Sequence, residues 1–459
     1  MLTPRVILWL KLVLLVLLIL TAIGTFTGWA LYGAEPKRNG ELDMPGLSKP
    51  VSVYYDAWGV PHIDAQNDLD AYRALGFIHA QERLFQMDML RRIGAGRLSE
   101  IFGLESLETD QFFRSLGISQ FARRYAQYLQ TQADEPHVKL IHAYQKGINH
   151  YIDKGGRPLE YSMLFARPDY FTEEDIAHVM GYMAYSFAEA FKTDALTDQV
   201  RGKLGQRHAQ DLVPGWPNNL PPRSTPQKAS AGEASTAWAS TLLSQVSKVE
   251  ASLPAGQFLG SNAWVVNSSR SHSKAPMLAN DPHIGFAAPA VWFEAHIRTP
   301  EHEVYGHFLG GIPFPLLGQT RTHAWGLTML MNDEIDFYRE RVNPDNAEQV
   351  WVAGEGWQDL TIHEEVIKIR GREDRLLRLR SSQHGPIIND PVPQVSEPPT
   401  DPSPPVSLFW TFLDPANDSA KALYGLSRAQ NMQEFEQAAS NHTSPGLNLI
   451  YADAQDNIA

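Results

Sequence analysis

The sequence predicts an α+β fold in which helices come first and sheet follows, and three observations carry that expectation. Apolar residues recur at helical spacing through Leu204. A stretch rich in Pro, Ser and Ala, Pro214 to Gly256, then interrupts the chain. From Ala263 onward, alternating or continuous apolar runs are separated by Pro and Gly, as strands are by turns. The expected organisation is a signal anchor or transmembrane segment over residues 1–34, a mostly helical unit over 35–213, a spacer over 214–260 and a sheet-rich unit over 261–459.

Arg5 and Lys11 precede Leu12 to Ala30, an uncharged, mostly apolar run long enough to cross a bilayer as a helix. Positive charge ahead of it predicts export of the remainder, so the chain is expected to be membrane-anchored or secreted, facing the periplasm or the extracellular side. The length of the run favours an anchor, and no sharp small-x-small cleavage site follows it.

After a polar hinge, Val51 to Tyr55 alternates as a half-buried strand and Asp56 to Gly59 makes a turn. Asp68 to Ile93 carries Ala71, Leu75, Ile78, Leu84 and Met87 at helical spacing, and further helices are expected over Gln111 to Asp153 and Thr172 to Leu204. Beyond the spacer, Trp264 to Val266, Ala290 to Phe293, His323 to Thr328 and Val366 to Leu379 read as strands. Asn431 to Ser440 reads as a helix before a final hairpin, and Asp390 to Pro405 as an exposed, proline-crowded loop.

Composition excludes several functions. The net charge of -13 argues against nucleic acid as a partner, because phosphate binding needs a basic face. With no cysteine, disulfides and thiolate metal sites are impossible. Eleven Trp and sixteen Tyr allow a sugar-binding or cell-wall-binding exported protein, although aromatics are common in any large β core.

Gly260-Ser261-Asn262-Ala263-Trp264, followed by a β-like run and then Asn280-Asp281-Pro282-His283, is the sharpest local signal. If the bond before Ser261 is cut, Ser261 gains a free α-amino group beside its hydroxyl. Such an amine titrates at about 7.7 to 8.0 and can take the hydroxyl proton, which no backbone amide can do. Alone, a Gly-Ser pair is an ordinary loop feature.

Asp56-Ala57-Trp58-Gly59-Val60-Pro61-His62-Ile63, Ala74 to Leu84, Arg91-Arg92 and Gly94 to Gly103, together with Gly260 to Trp264, resemble the precursors of the penicillin acylase family. These N-terminal nucleophile hydrolases include penicillin and cephalosporin acylases and acyl-homoserine-lactone acylases. The resemblance implies a four-layer αββα sandwich, no organic cofactor, and an α-chain and β-chain that form a heterodimer after cleavage between Gly260 and Ser261. It further implies hydrolysis of a small N-acyl compound through an acyl-enzyme on Ser261, with His283 hydrogen-bonded to the serine. The oxyanion donors it implies are the Met329 N–H and the Asn448 amide.

The same resemblance places Met183, Phe187, Ile284, Leu317 and Leu327 around the acyl group. Aliphatic Ile284 and Leu317, where penicillin G acylases carry aromatic residues, favour an aliphatic acyl chain. Asp333, the Ile335 carbonyl and Asp336, joined by Asp194, offer the hard oxygens that a structural Ca2+ takes. On residue type alone, Met183 and Phe187 equally suit a core and Asp333 to Asp336 a solvated turn. The chain stops at Asp453 to Ala459, where the resemblance leads to the expectation of further β-chain, so the sandwich is expected to be C-terminally incomplete. A truncated, inactive, membrane-tethered homologue that at most binds acylated amides is therefore the competing reading.

Overall fold

The computed structural model describes residues 3–212, 237–253, 258–330, 332–390 and 404–459. Helices dominate the first part: α1 (Pro4–Ala34), α2 (Asp68–Ala95), α3 (Ser99–Phe102), α4 (Leu107–Ser115), α5 (Ile118–Thr131), α6 (Pro136–Lys154), α7 (Leu159–Met163), α8 (Glu173–Phe187), α9 (Ala190–Leu204), α10 (Gln206–Asp211) and α11 (Ala237–Ser252). Two more, α12 (Ser419–Arg428) and α13 (Met432–Ala439), lie among the later strands. The expected helix of Asp68 to Ile93 is thus present as α2, capped by Asn67 at its start and by left-handed Gly96 at its end.

The strands are β1 (Ser52–Tyr55), β2 (Pro61–Asp64), β3 (Phe258–Val266), β4 (Met277–Ile284), β5 (Trp292–Arg298), β6 (Glu303–Leu309), β7 (Leu317–Thr320), β8 (His323–Met329) and β9 (Ile335–Arg339). They continue as β10 (Val342–Asn343), β11 (Asn346–Val352), β12 (Gly356–Asp359), β13 (Thr361–Ile367), β14 (Arg375–Ser382), β15 (Gly385–Pro386), β16 (Val406–Trp410) and β17 (Leu447–Asp453). Among the described residues the largest sheet runs β1-β2-β5-β6-β7-β8-β17, with β2 and β5 parallel. The β3–β4 hairpin lies against β8 and β17.

The core is continuous from α2 through the sheet. Trp325 of β8, Tyr451 of β17, Phe308 of β6 and Phe314 share it with Tyr72 and Tyr144 of the helices. A buried ionic knot fixes α2 to the helices beside it. Asp88 accepts from Arg91, Arg92 and the Tyr161 hydroxyl, while Arg91 Nη1 lies 2.9 Å from Asp175 Oδ2 on α8. These are the Arg91-Arg92 of the sequence signature, and they anchor the scaffold away from Ser261. With both cations paired, the knot avoids the several kcal/mol that an unpartnered buried charge costs.

Two sequence expectations change here. Val366 to Leu379 is a hairpin, β13 and β14, bent at the Gly371 turn, because Ile367–Arg375 and Thr361–Ser381 close a continuous antiparallel register. The spacer region also contains α11, whose Trp238, Leu242 and Val246 recur at i, i+4 and i+8 and are buried with Ala239 and Val249. It packs on α4 and α9, and Trp238 Nε1 donates to Asp198 Oδ2 at 3.0 Å. The rest of the expected spacer, 214–236 and 254–257, and most of the expected loop from Asp390 to Pro405 lie outside the described residues.

Candidate active site

Ser261 stands inside β3, with the chain continuous through it: Gly260 pairs with His283 and Ser261 with Pro282 across the hairpin. The register slips between Phe258 and Gly260, and Gly260 has φ of 150°, a conformation that side-chain-bearing residues rarely adopt. The irregularity therefore falls on the residue that donates the expected scissile carbonyl. The half-buried Ser261 hydroxyl donates to that carbonyl at 2.6 Å. Hydroxyl and peptide are already in contact before any cleavage.

His283 is beside this bond but not on the serine. Its Nε2 lies 2.8 Å from Asp281 Oδ2 and 3.3 Å from Asn262 Nδ2, so in the uncut chain the expected serine–histidine hydrogen bond is replaced by these partners. Phe258, upstream of the bond, pairs with Ile284. The leader thus occupies the β4 edge at the two positions, His283 and Ile284, that the sequence assigned to catalysis and acyl binding.

The two expected oxyanion donors come together across β8 and β17. Asn448 pairs with Thr328, and its Nδ2 reaches Thr328 Oγ1 at 3.1 Å and the Met329 carbonyl at 3.3 Å. The Asn448 side chain is exposed, on strands that touch β3.

Sequence reasoning missed the residue that ties these halves together. Asn280 Nδ2 donates to the Asn262 carbonyl at 3.0 Å and to the Leu327 carbonyl at 2.9 Å, while its Oδ1 accepts from the Leu327 N–H at 2.8 Å. One side-chain amide replaces a strand's backbone and locks β3–β4 onto β8. Gly326 makes room, since a Cβ there would sit 2.7 Å from Asn280 Oδ1. A polar Asn and a Gly inside two strand patterns were the available signals.

The expected acyl pocket is only partly assembled. A cavity of about 580 Å³ lies between α2, α8 and the segment after β4, and Met183, Tyr182 and Phe286 line it. Phe187, Leu317 and Leu327 instead belong to the buried core, and Ile284 faces its leader partner. Neither these four nor Ser261 lines the cavity in the uncut chain.

The acidic residues assigned to calcium interact, although among the described residues no group of three or more His, Asp or Glu side chains is arranged to hold a metal ion. Burial, and then the charges of Asp333 and Asp336, push the Asp194 carboxyl up to about 7, with Arg201 opposing them. Such mutual repulsion is what a hard cation relieves. Glu334 turns the other way, buried at 5 % exposure beside Thr411, and its carboxyl is raised by that burial.

Residues 50–459 match the model of the penicillin amidase family. The chain is 32% identical over 380 residues to a penicillin acylase 2 proenzyme of Pseudomonas sp. strain SE83, covering 79% of this chain and 47% of that protein. It is 27% identical to the acyl-homoserine lactone acylase QuiP of Pseudomonas aeruginosa, over 91% of this chain and 50% of the relative. The chain thus spans about half the length of the curated relatives it matches. A solved thermostable penicillin G acylase from Alcaligenes faecalis aligns with a TM-score of 0.38 at 27% identity, over 43% of this chain and 34% of that one. On the family match and the proenzyme's identity together, the chain belongs to the penicillin amidase family.

Proposed function

We propose that this chain is an exported, self-processing amidohydrolase that uses Ser261 as an N-terminal nucleophile on N-acyl compounds with aliphatic acyl chains, acyl-homoserine lactones, β-lactams or similar amides among them. The contact that carries the reading is the Ser261 hydroxyl at 2.6 Å from the Gly260 carbonyl oxygen. In the maturation step, Ser261 Oγ adds to the Gly260 carbonyl carbon, the C–N bond breaks, the hydroxyl proton passes to the new amine, and water hydrolyses the ester. In turnover, the amine takes the Oγ proton as Oγ attacks the substrate carbonyl and then gives it to the leaving amine; water releases the acid.

The remaining roles follow the geometry. Asn448 Nδ2 and the Met329 N–H would stabilise the oxyanion, a donor of this kind contributing about 3 to 4 kcal/mol. Departure of Phe258 to Gly260 would free His283 for the serine and open Ile284 to the acyl chain. Asp194, Asp333, Asp336 and the Ile335 carbonyl would hold a structural Ca2+ between an α-chain and a β-chain, within the αββα sandwich of an N-terminal nucleophile hydrolase.

Mass spectrometry of the purified chain tests the proposal: a fragment beginning at Ser261 is expected from the parent and none from Ser261→Ala. The processed parent, unlike Ser261→Ala, is expected to hydrolyse at least one member of a panel of acyl-homoserine lactones, β-lactams and N-acyl amino acids. An intact parent chain after long incubation, equal to Ser261→Ala on every substrate, leaves the non-catalytic, acyl-amide-binding reading in its place.

A further inference from the structure

The cavity beside Met183 opens where α1 ends: Ala34 and Pro36 line it together with Leu159, Glu160 and Phe286. Lys11 is the last charge in α1, so a hydrocarbon core of about 30 Å, at about 1.5 Å per residue, runs from there to about Leu31. Trp29 and Tyr32, both exposed, then fall at the far interface, where amphipathic aromatic rings concentrate. The helix does not hang free. The Arg157 N–H donates to the Gly33 carbonyl at 3.0 Å, and Arg38 just beyond pairs in two hydrogen bonds with Glu82, itself in the cavity wall.

A second observation places part of the folded body in the same lipid zone. The turn that ends α7 closes with the Ala166 N–H on the Tyr161 carbonyl and the Phe165 N–H on the Ser162 carbonyl, a helix stop whose left-handed position is usually glycine. Here Phe165 holds that position at φ of 48°, with its ring 77% exposed and stacked on Phe26 of α1 at 6.5 Å. Phe26 lies about 12 Å along the helix from Ala34, inside the boundary set above. Met163 beside it is also exposed, as is Phe286 at the cavity mouth. Large apolar side chains in strained or outward positions are unfavourable in water and favourable in a lipid interface.

We infer that the tip Met163–Phe165 dips into the outer leaflet of the membrane that α1 crosses, and that the cavity mouth faces that leaflet, so that long-chain N-acyl amphiphiles enter from lipid. The substrate half of this inference rests on the hydrolase reading above; the membrane half does not.

Because the chain has no cysteine, single thiols report on single positions. Phe165→Cys, Phe286→Cys and a distant control, Glu355→Cys, each in the full Ser261→Ala chain, would be labelled with the polarity-sensitive dye NBD and reconstituted in phosphatidylethanolamine–phosphatidylglycerol vesicles. Blue-shifted emission quenched by doxyl-labelled lipid is expected at the first two positions and water-like emission at the third. Water-like emission at positions 165 and 286 overturns the inference whether or not the chain is an enzyme. In the processed parent, hydrolysis of dodecanoyl-aminocoumarin in vesicles should fall about tenfold on Phe165→Asp, while hexanoyl-aminocoumarin, which partitions weakly into lipid, is unchanged. Equal loss on both probes would show damage to the fold and refute lipid entry.

Discussion

Removing the indole of Trp238 tests whether α11 belongs to the folded body or is packing material to be discarded. The side chain is 6% exposed, its ring lies 5.3 Å from that of Phe337, and its N–H is held by Asp198. Trp→Ala at a buried site costs about 3 to 5 kcal/mol, whereas Trp238→Phe keeps most of the packing and loses one hydrogen bond of about 1 kcal/mol. For a chain of 459 residues the unfolding entropy, about 2.1 cal/mol/K per residue, comes to about 1 kcal/mol/K. Differential scanning calorimetry should therefore show a drop in Tm of about 3 to 5 °C for Trp238→Ala and about 1 °C for Trp238→Phe. Asp198 keeps Arg201 and Arg339 as partners in either variant, so no charge is stranded to inflate the effect. A Tm for Trp238→Ala within half a degree of the parent would refute the integral role of α11.

Three further outcomes are expected. Asn280→Ala strips the Leu327 N–H and the Leu327 and Asn262 carbonyls of their shared partner, and at about 1 to 3 kcal/mol for each group left buried it should abolish the Ser261 fragment in mass spectra while far-UV circular dichroism stays native. Gly326→Ala drives a methyl against the same amide and should slow fragment formation in the same assay, with Asn280→Gly/Gly326→Ala no worse than Asn280→Gly alone. Asp194 has a folded pKa of about 7, above its unfolded value, so the stability it contributes is full below pH of about 4 and is lost as pH rises through 7. Asp194→Asn should therefore raise Tm above pH 7, by at most about 4 kcal/mol before water screening, and leave it little changed near pH 4; added calcium should raise the parent's Tm at pH 8 and not the variant's.

Helices and strands with strong periodicity were legible, and the reason shows in particular cases. α2 has an Asn cap, a clear apolar face and a glycine stop, all local signals, and β8 alternates where it borders the core. α11 was hidden because proline, serine and alanine around it dominate the composition, although its three apolar anchors repeat every fourth residue. In the site, the nucleophile and the donor pair Met329–Asn448 could be placed through family resemblance, and β8 and β17 do bring that pair together. The role of Asn280 could not, because an amide that substitutes for backbone across two sheets has no sequence period. Phe187, Leu317 and Leu327 read equally as core or pocket, and the uncut chain holds them in the core.

The five core side chains of α11 also bear on what happens once the bond before Ser261 opens. The helix ends at Ser252 and β3 begins at Phe258, so the freed carboxyl terminus at Gly260 stays on a leash moored to α4 and α9. A product held that way competes with incoming amides at an effective concentration in the millimolar range. Scission alone then leaves the enzyme corked, and its turnover begins only when the leash swings clear of β4 or is shortened.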